Sequence, residues 1–279
     1  MRFHSTDDLA SHLKGHPPPA GVVGVLLCDG LGMAQATAAR MAAIGCKILI
    51  AIGPGANGLS LGQIETWTAD QSLAPHREAA CLNRMIDSLA GRWILWMRNG
   101  EFFFFPFSET RNLTEISTFL SEERRRAAFT YAIDLYGPEM PETAEDLREL
   151  PLWFDRAGYH AFPKEDGRLD LFGGLGWRFE ELADPDTQQI GSSRLFLADR
   201  GVRLDRRMVF EDPDYASVSC AWHHNPTTAT MTLRRARRLT AHPQFAAVRD
   251  RLVWSGSERF EWTSEQLLRL GMIEPGQWF

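Results

Sequence analysis

The stretch Val22–Ile52, VVGVLLCDGLGMAQATAARMAAIGCKILIAI, decides how the rest of the chain is read. Its first seven residues, Val22–Cys28, form an unbroken apolar run, the pattern of a strand covered on both faces. After Gly30 and Gly32, the Ala-rich segment Met33–Ile44 places Ala34, Ala38, Met41 and Ala42 on one helical face, and Gly45 follows as a stop. Cys46–Ile52 is a second apolar run. Strand, helix and strand within about thirty residues make a βαβ unit, whose crossover is right-handed.

Outward from this unit, a helix from about Arg77 to Ala90 leads into a strand at Arg92–Met97 (RWILWM). Leu113–Arg124 reads as a helix with Leu113, Ile116, Phe119 and Leu120 on one side, and Ala127–Tyr136 as a strand. Gly137–Leu150, rich in Pro and Glu, is an excursion. Later strands are expected at Leu169–Phe172, Ser193–Leu197 and Ala216–Trp222. Residues 1–20 read as a leader segment. Residues 228–279 read as a helical C-terminal part packed on the domain, with helices at Thr228–Thr240, Phe245–Arg251 and Ser264–Leu270 and a capping box of Thr263 with Gln266. The expectation is one layered α/β domain over residues 1–279, built on a central, mostly parallel sheet with some mixed pairing. Ligands of such sheets gather at the carboxyl ends of the strands, which directs attention to the segments after Cys28, Ile52, Met97 and Tyr136.

The 279 residues are 44% hydrophobic, enough for a sizeable core, and the formal net charge of −6 argues against nucleic acid as a partner. Met1–Lys14 is polar and mixed in charge, unlike a signal peptide, and the apolar runs are far shorter than the ~20 residues of a membrane span. Cys28, Cys46, Cys81 and Cys220 are scattered, without a C-x-x-C spacing, and read as reduced thiols of a cytoplasmic protein.

The segment Trp93–Tyr136, WILWMRNGEFFFFPFSETRNLTEISTFLSEERRRAAFTYAIDLY, carries an apolar strand, a short aromatic strand ending at Pro106, an acidic/Thr/Arg loop at Phe107–Arg111, a helix, and a strand closing on Asp134-Leu-Tyr136. In that order it resembles a branch of the family 2 glycosyltransferases, which have the GT-A fold. Trp153–Tyr159 (WFDRAGY) and Phe172–Arg178 (FGGLGWR) are similar to the same branch's acceptor-side segments. The resemblance implies a nucleotide-sugar donor, a carbohydrate or cell-surface acceptor, and a divalent cation, Mn2+ or Mg2+, held by two aspartates. Here those aspartate positions are Arg98 and Gly100. Only Glu101 remains as a ligand from the motif, joined by His223 or His224, since GT-A enzymes often complete the metal sphere with a late His. Neighbouring histidines on a strand face opposite ways, so one of the two at most reaches a site.

Arg98 has two readings: a guanidinium that takes the metal's place on a diphosphate, or an ion-paired plug. If there is no metal at all, the first reading needs no cofactor. Asn99, Trp177 and Arg178 are the further substrate-binding candidates, and Asp134 and Asp155 the candidate catalytic bases, an inverting transferase needing one carboxylate near the acceptor hydroxyl. Arg234, Arg235, Arg237 and Arg238 either pair with local acids or grip phosphate. Gly53–Gly58 lacks the Lys-Ser/Thr of a P-loop and reads as a tight loop. The final Trp278-Phe279 should dock onto the domain or a partner. Two functions follow: a glycosyltransferase-like protein using Glu101 with His223 or His224, or Arg98 in place of metal; or a catalytically inactive GT-A module kept for binding or regulation.

Overall fold

A computed structural model describes residues 1–30, 32–73, 77–165, 169–183, 188–215 and 225–278. The chain opens with β1 (Arg2–Phe3) and α1 (Thr6–Gly15). Ser5 caps α1, its hydroxyl accepting the Asp8 backbone N–H, while Asp7 and Asp8 suit the helix's positive end. Leu9, Ala10 and Leu13 are buried, so the stretch read as a leader is built into the domain. Its apolar stripe is narrow, and the charged residues between hid it in the composition.

There follow β2 (Val23–Leu27), α2 (Ala34–Ala43), β3 (Ile48–Ile52), β4 (Glu65–Ala69), α3 (Glu78–Ser88), β5 (Trp93–Arg98), β6 (Glu101–Phe104), α4 (Leu113–Glu122) and β7 (Phe129–Asp134). The short elements α5 (Asp146–Glu149), β8 (Trp153–Asp155), β9 (Tyr159–Pro163), β10 (Leu169–Gly173), α6 (Leu175–Arg178) and β11 (Leu195–Leu197) come next. The chain continues through β12 (Thr227–Thr232), α7 (Arg234–Thr240), β13 (Ser257–Arg259) and α8 (Ser264–Arg269).

The central sheet runs β1-β4-β3-β2-β5-β11, parallel throughout except for β11. The three long apolar runs are therefore adjacent in its middle, as the βαβ reading requires. Val23, Val25, Leu27, Ile48, Ile50 and Ile52 pack beneath α1 and α3, and Leu26, Leu49, Ala51, Leu95 and Met97 beneath α2 and α4. Both parities of each strand are buried, which is why the runs do not alternate. The result is a layered α/β fold on a central, mostly parallel sheet. No described helix is long and apolar enough to cross a membrane.

A second sheet, β6-β12-β7, sits beside the first. Here the structure corrects the sequence reading: Thr227–Thr232 is a fully buried strand, parallel to β7 and antiparallel to β6, and only Arg234–Thr240 is helical. Four threonines in six residues resist helix through their β-branching, and the Thr130 and Thr228 hydroxyls satisfy each other across the pair at 2.7 Å. Phe245–Ala247 and Arg249–Arg251 are separate 3-10 turns. Thr263 caps α8 by accepting the Gln266 N–H, but the Gln266 side chain accepts from Glu261, so the capping box is half formed. The strand expected at Ala216–Trp222 lies outside the described residues, as do Cys220, His223 and His224.

Candidate functional site

The parallel strands β2, β3 and β5 end level, Leu27 opposite Ile52 on one side and Arg98 on the other. At the end of β3, a Cβ on Gly53 would lie 2.0 Å from the Cys28 carbonyl oxygen, so only glycine allows the two strand ends to meet. Asn57 in the loop that follows takes the Thr68 hydroxyl on its Oδ1 and Arg2 on its carbonyl. This loop closes the sheet end.

At the end of β5, Arg98 donates through Nε and Nη2 to Glu78 Oε2 of α3, at 2.9 and 2.6 Å, with its guanidinium 5.0 Å from the Trp96 ring centre. The Asn99-Gly100 turn, with Gly100 at φ +73°, then redirects the chain into β6. Glu101, first residue of β6, is buried. Its Oε2 accepts the Arg98 backbone N–H at 2.8 Å and its Oε1 accepts Arg194 Nη2 at 3.0 Å. Burial alone would push this carboxyl up, but Arg194, Arg98 and Arg234 outweigh it and hold it below its usual value. Arg194 is buried too, its guanidinium 3.9 Å from the Trp96 ring, and desolvation lowers its pKa to about 10 despite Glu101.

Both Glu101 oxygens are thus engaged by the Arg98 backbone and the Arg194 guanidinium. Among the described residues, no three His, Cys, Asp or Glu side chains converge as a metal site would require. The end of β5 carries positive charge through Arg98 and Arg194. Arg234 adds to it from the start of α7, pairing with exposed Asp29 at 3.1 Å, and Arg238 lies near Arg98, Arg234 and Arg235. Polar capacity is left over: Arg194 Nε and Asn99 Oδ1 are buried without hydrogen-bond partners, while Asn99 Nδ2 donates to the Gly30 carbonyl at 2.7 Å.

The candidate bases sit elsewhere. Asp134 closes β7, buried, accepting Arg235 Nη1 (3.2 Å) and the Leu175 N–H (2.8 Å). Burial raises its pKa, with Arg235 and the Leu175 hydrogen bond pulling the other way. The close approach of α6 depends on Gly174, where a Cβ would lie 2.4 Å from Asp134 Oδ2. Asp155 takes three donors on Oδ1: Tyr136 Oη at 2.5 Å, Arg178 Nη1 at 2.7 Å and Trp254 Nε1 at 2.7 Å. Arg178 also donates to the Arg251 and Leu252 carbonyls and stacks near Tyr136, Phe179 and Trp254. Asp155 and Arg178 thus form one closed internal knot. Trp177, next door, is 41% exposed and continues a surface of rings with His160, Phe172 and Phe162.

The structure brings together Arg98, Asn99 and Glu101 at the end of β5, and places Asp134, Asp155, Trp177 and Arg178 around α6. Sequence reasoning passed over Glu78 and Arg194, which complete the β5 site. Arg194 was detectable: an arginine inside the apolar run Ser193–Leu197 must find a buried partner.

No family model and no curated protein matches the chain. Among solved structures it is similar to a UTP-bound UGPase from Acinetobacter baumannii, at 9% identity over 83% of this chain and 98% of that one, with a TM-score of 0.31. A UDP-glucose pyrophosphorylase from the same organism matches at 8% identity over 83% and 98% of the two chains, with a TM-score of 0.35. Overlap this loose carries no functional argument, and the fold stands on the strand order.

Proposed function

We propose that the chain is a glycosyltransferase-like protein that binds a nucleotide sugar at the carboxyl ends of β2 and β5 and neutralises its diphosphate with arginines instead of Mn2+ or Mg2+. The observation that carries this reading is the occupancy of the motif: Arg98 stands at the end of β5 where the resembled family has an aspartate, and Glu101 is held by Arg194. Arg98 and Arg234 flank the strand ends, and their acid partners, Glu78 and Asp29, hold them by single carboxylate oxygens. A diphosphate brings more charge than either acid and pairs with guanidinium in two-pronged geometry. The order of the segments Trp93–Tyr136, Trp153–Tyr159 and Phe172–Arg178 supports the family 2 resemblance, and the exposed rings around Trp177 suit the C–H face of a carbohydrate acceptor. Asp134 is the proposed base, its burial favouring the protonated form that a proton-accepting carboxylate must be able to reach.

The second reading, an inactive binding or regulatory module, is favoured by the engagement of Asp134 and Asp155 with partners inside the fold. Calorimetry of the full chain with UDP, first in EDTA and then with Mn2+, tests the binding. Metal-independent binding lost in Arg98→Ala is the expected result; binding only with Mn2+, or none to any nucleotide of a panel, overturns it. Release of sugar from a UDP-sugar by a chain that binds UDP would separate the transferase from the module.

A further inference from the structure

Behind α6 and α7 lies a second pocket, of about 220 Å3, lined by Leu175, Leu182, Leu239, Arg235, Arg238 and His242. Its volume is below the ~300 Å3 at which sites for drug-sized ligands begin, so it suits a small molecule or a head group. One wall is apolar, the other cationic. Arg235 is already held, donating to Asp134 and to the Gln189 carbonyl. Arg238 is not: among the described residues it has no hydrogen bond or ion pair, and its neighbours Arg234, Arg98 and Arg235 each hold an acid of their own, Asp29, Glu78 and Asp134. His242 Nδ1 accepts the Gln244 backbone N–H at 3.2 Å, which leaves the ring proton on Nε2 as a donor. An uncompensated guanidinium and an oriented imidazole N–H on the rim of an apolar pocket are the complement of an anion with a short apolar body.

We propose that this pocket binds a small phosphomonoester, with the phosphate on Arg238 and His242 Nε2–H and the organic part on Leu175, Leu182 and Leu239. Arg235 stands behind them as a fixed charge, held in place by Asp134. A phosphate dianion answers the local excess of positive charge better than a carboxylate and offers more acceptor oxygens to donors arriving from two side chains. None of Arg98, Asn99 and Glu101 lines this pocket, although the charges of Arg98 and Arg234 reach Arg238, and binding here does not require nucleotide at the strand ends.

The test is calorimetry of the full chain with phenyl phosphate, beside benzyl alcohol, benzoate and inorganic phosphate. Phenyl phosphate should bind at least ~10-fold more tightly than benzyl alcohol or benzoate, and Arg238→Gln and His242→Ala should each weaken it about 10-fold. Inorganic phosphate should bind more weakly than phenyl phosphate, because it leaves the apolar wall uncovered. Arg238 is exposed and, among the described residues, unpaired, so its replacement should leave the near-ultraviolet circular dichroism unchanged. Arg98→Ala should alter phenyl phosphate affinity by no more than about threefold while removing UDP binding. The proposal is overturned if phenyl phosphate gives no binding, if benzoate binds equally well, if Arg238→Gln binds like the parent, or if Arg98→Ala removes both ligands together.

Discussion

Arg194 of the segment leading into β11 donates to Glu101 at the start of β6 (Nη2 to Oε1, 3.0 Å), with both residues buried and the guanidinium laid on Trp96. This contact joins the two sheets and occupies the acid that follows Arg98 and Gly100. Replacing Arg194 by Met strands a buried carboxylate and should cost about 3–5 kcal/mol in chemical denaturation. The double change with Glu101→Leu should recover most of it. A loss under about 1 kcal/mol for the single change would mean the pair contributes little.

The same pair sets an acid limit. Glu101 is held below its usual pKa in the folded chain, so its contribution to stability is present above the unfolded value and lost as pH falls through the folded one. Glu101→Gln lacks this contribution. The stability gap between parent and variant should therefore narrow from about pH 5 to about pH 2, measured by denaturant midpoints. A gap constant over that range would show that Glu101 does not titrate with folding.

Gly174 and Gly91 both have positive φ, +69° and +85°, but differ in surroundings. A Cβ at Gly91 meets nothing within 4 Å, whereas at Gly174 it strikes Asp134 Oδ2 at 2.4 Å. Gly91→Ala should cost about 1 kcal/mol from backbone strain alone, and Gly174→Ala about 3 kcal/mol. Equal losses would remove the steric role assigned to Gly174.

Arg98→Asp with Gly100→Asp rebuilds the two-aspartate motif of the resembled family. A Cβ at Gly100 would make ordinary van der Waals contact, the nearest atom being Leu233 Cβ at 3.6 Å, so the change meets strain at φ +73° but no clash. The double variant should gain UDP binding that requires Mn2+ and disappears in EDTA. Should binding stay indifferent to metal, the alignment of Arg98 and Gly100 with the motif fails.

Trp278 is 5% exposed, with its ring centre 6.1, 6.4 and 6.5 Å from those of Phe105, Phe107 and Phe119, and Arg111 stacked at 4.7 Å. Docking onto the domain is thus realised for Trp278, while Phe279 lies outside the described residues. Trp278→Ala should lower stability by about 3–5 kcal/mol by thermal or chemical unfolding, whereas a loose tail would tolerate it.

Read alone, the sequence determined the parts of the fold whose cause is local. Val23–Leu27, Ile48–Ile52 and Trp93–Arg98 are strands because apolar runs of that length, separated by helical periods and glycines, have one economical arrangement. It also directed attention to the end of β5, where the resemblance sets Arg98 and Gly100 against two aspartates. What it could not determine depends on partners distant in the chain. Thr227–Thr232 is a strand only because β6 and β7 offer it both edges, and the basic run that follows outweighed its threonines in a local reading. Glu78 and Arg194 are 20 and 93 residues from Arg98 and Glu101, the residues they pair with, and no local pattern names them as partners. Whether a carboxylate binds metal, takes a proton or only pairs with arginine is decided by burial and neighbouring charge. For Glu101, Asp134 and Asp155 those are set by Arg194, Arg235 and Arg178, which the tertiary structure alone brings to them.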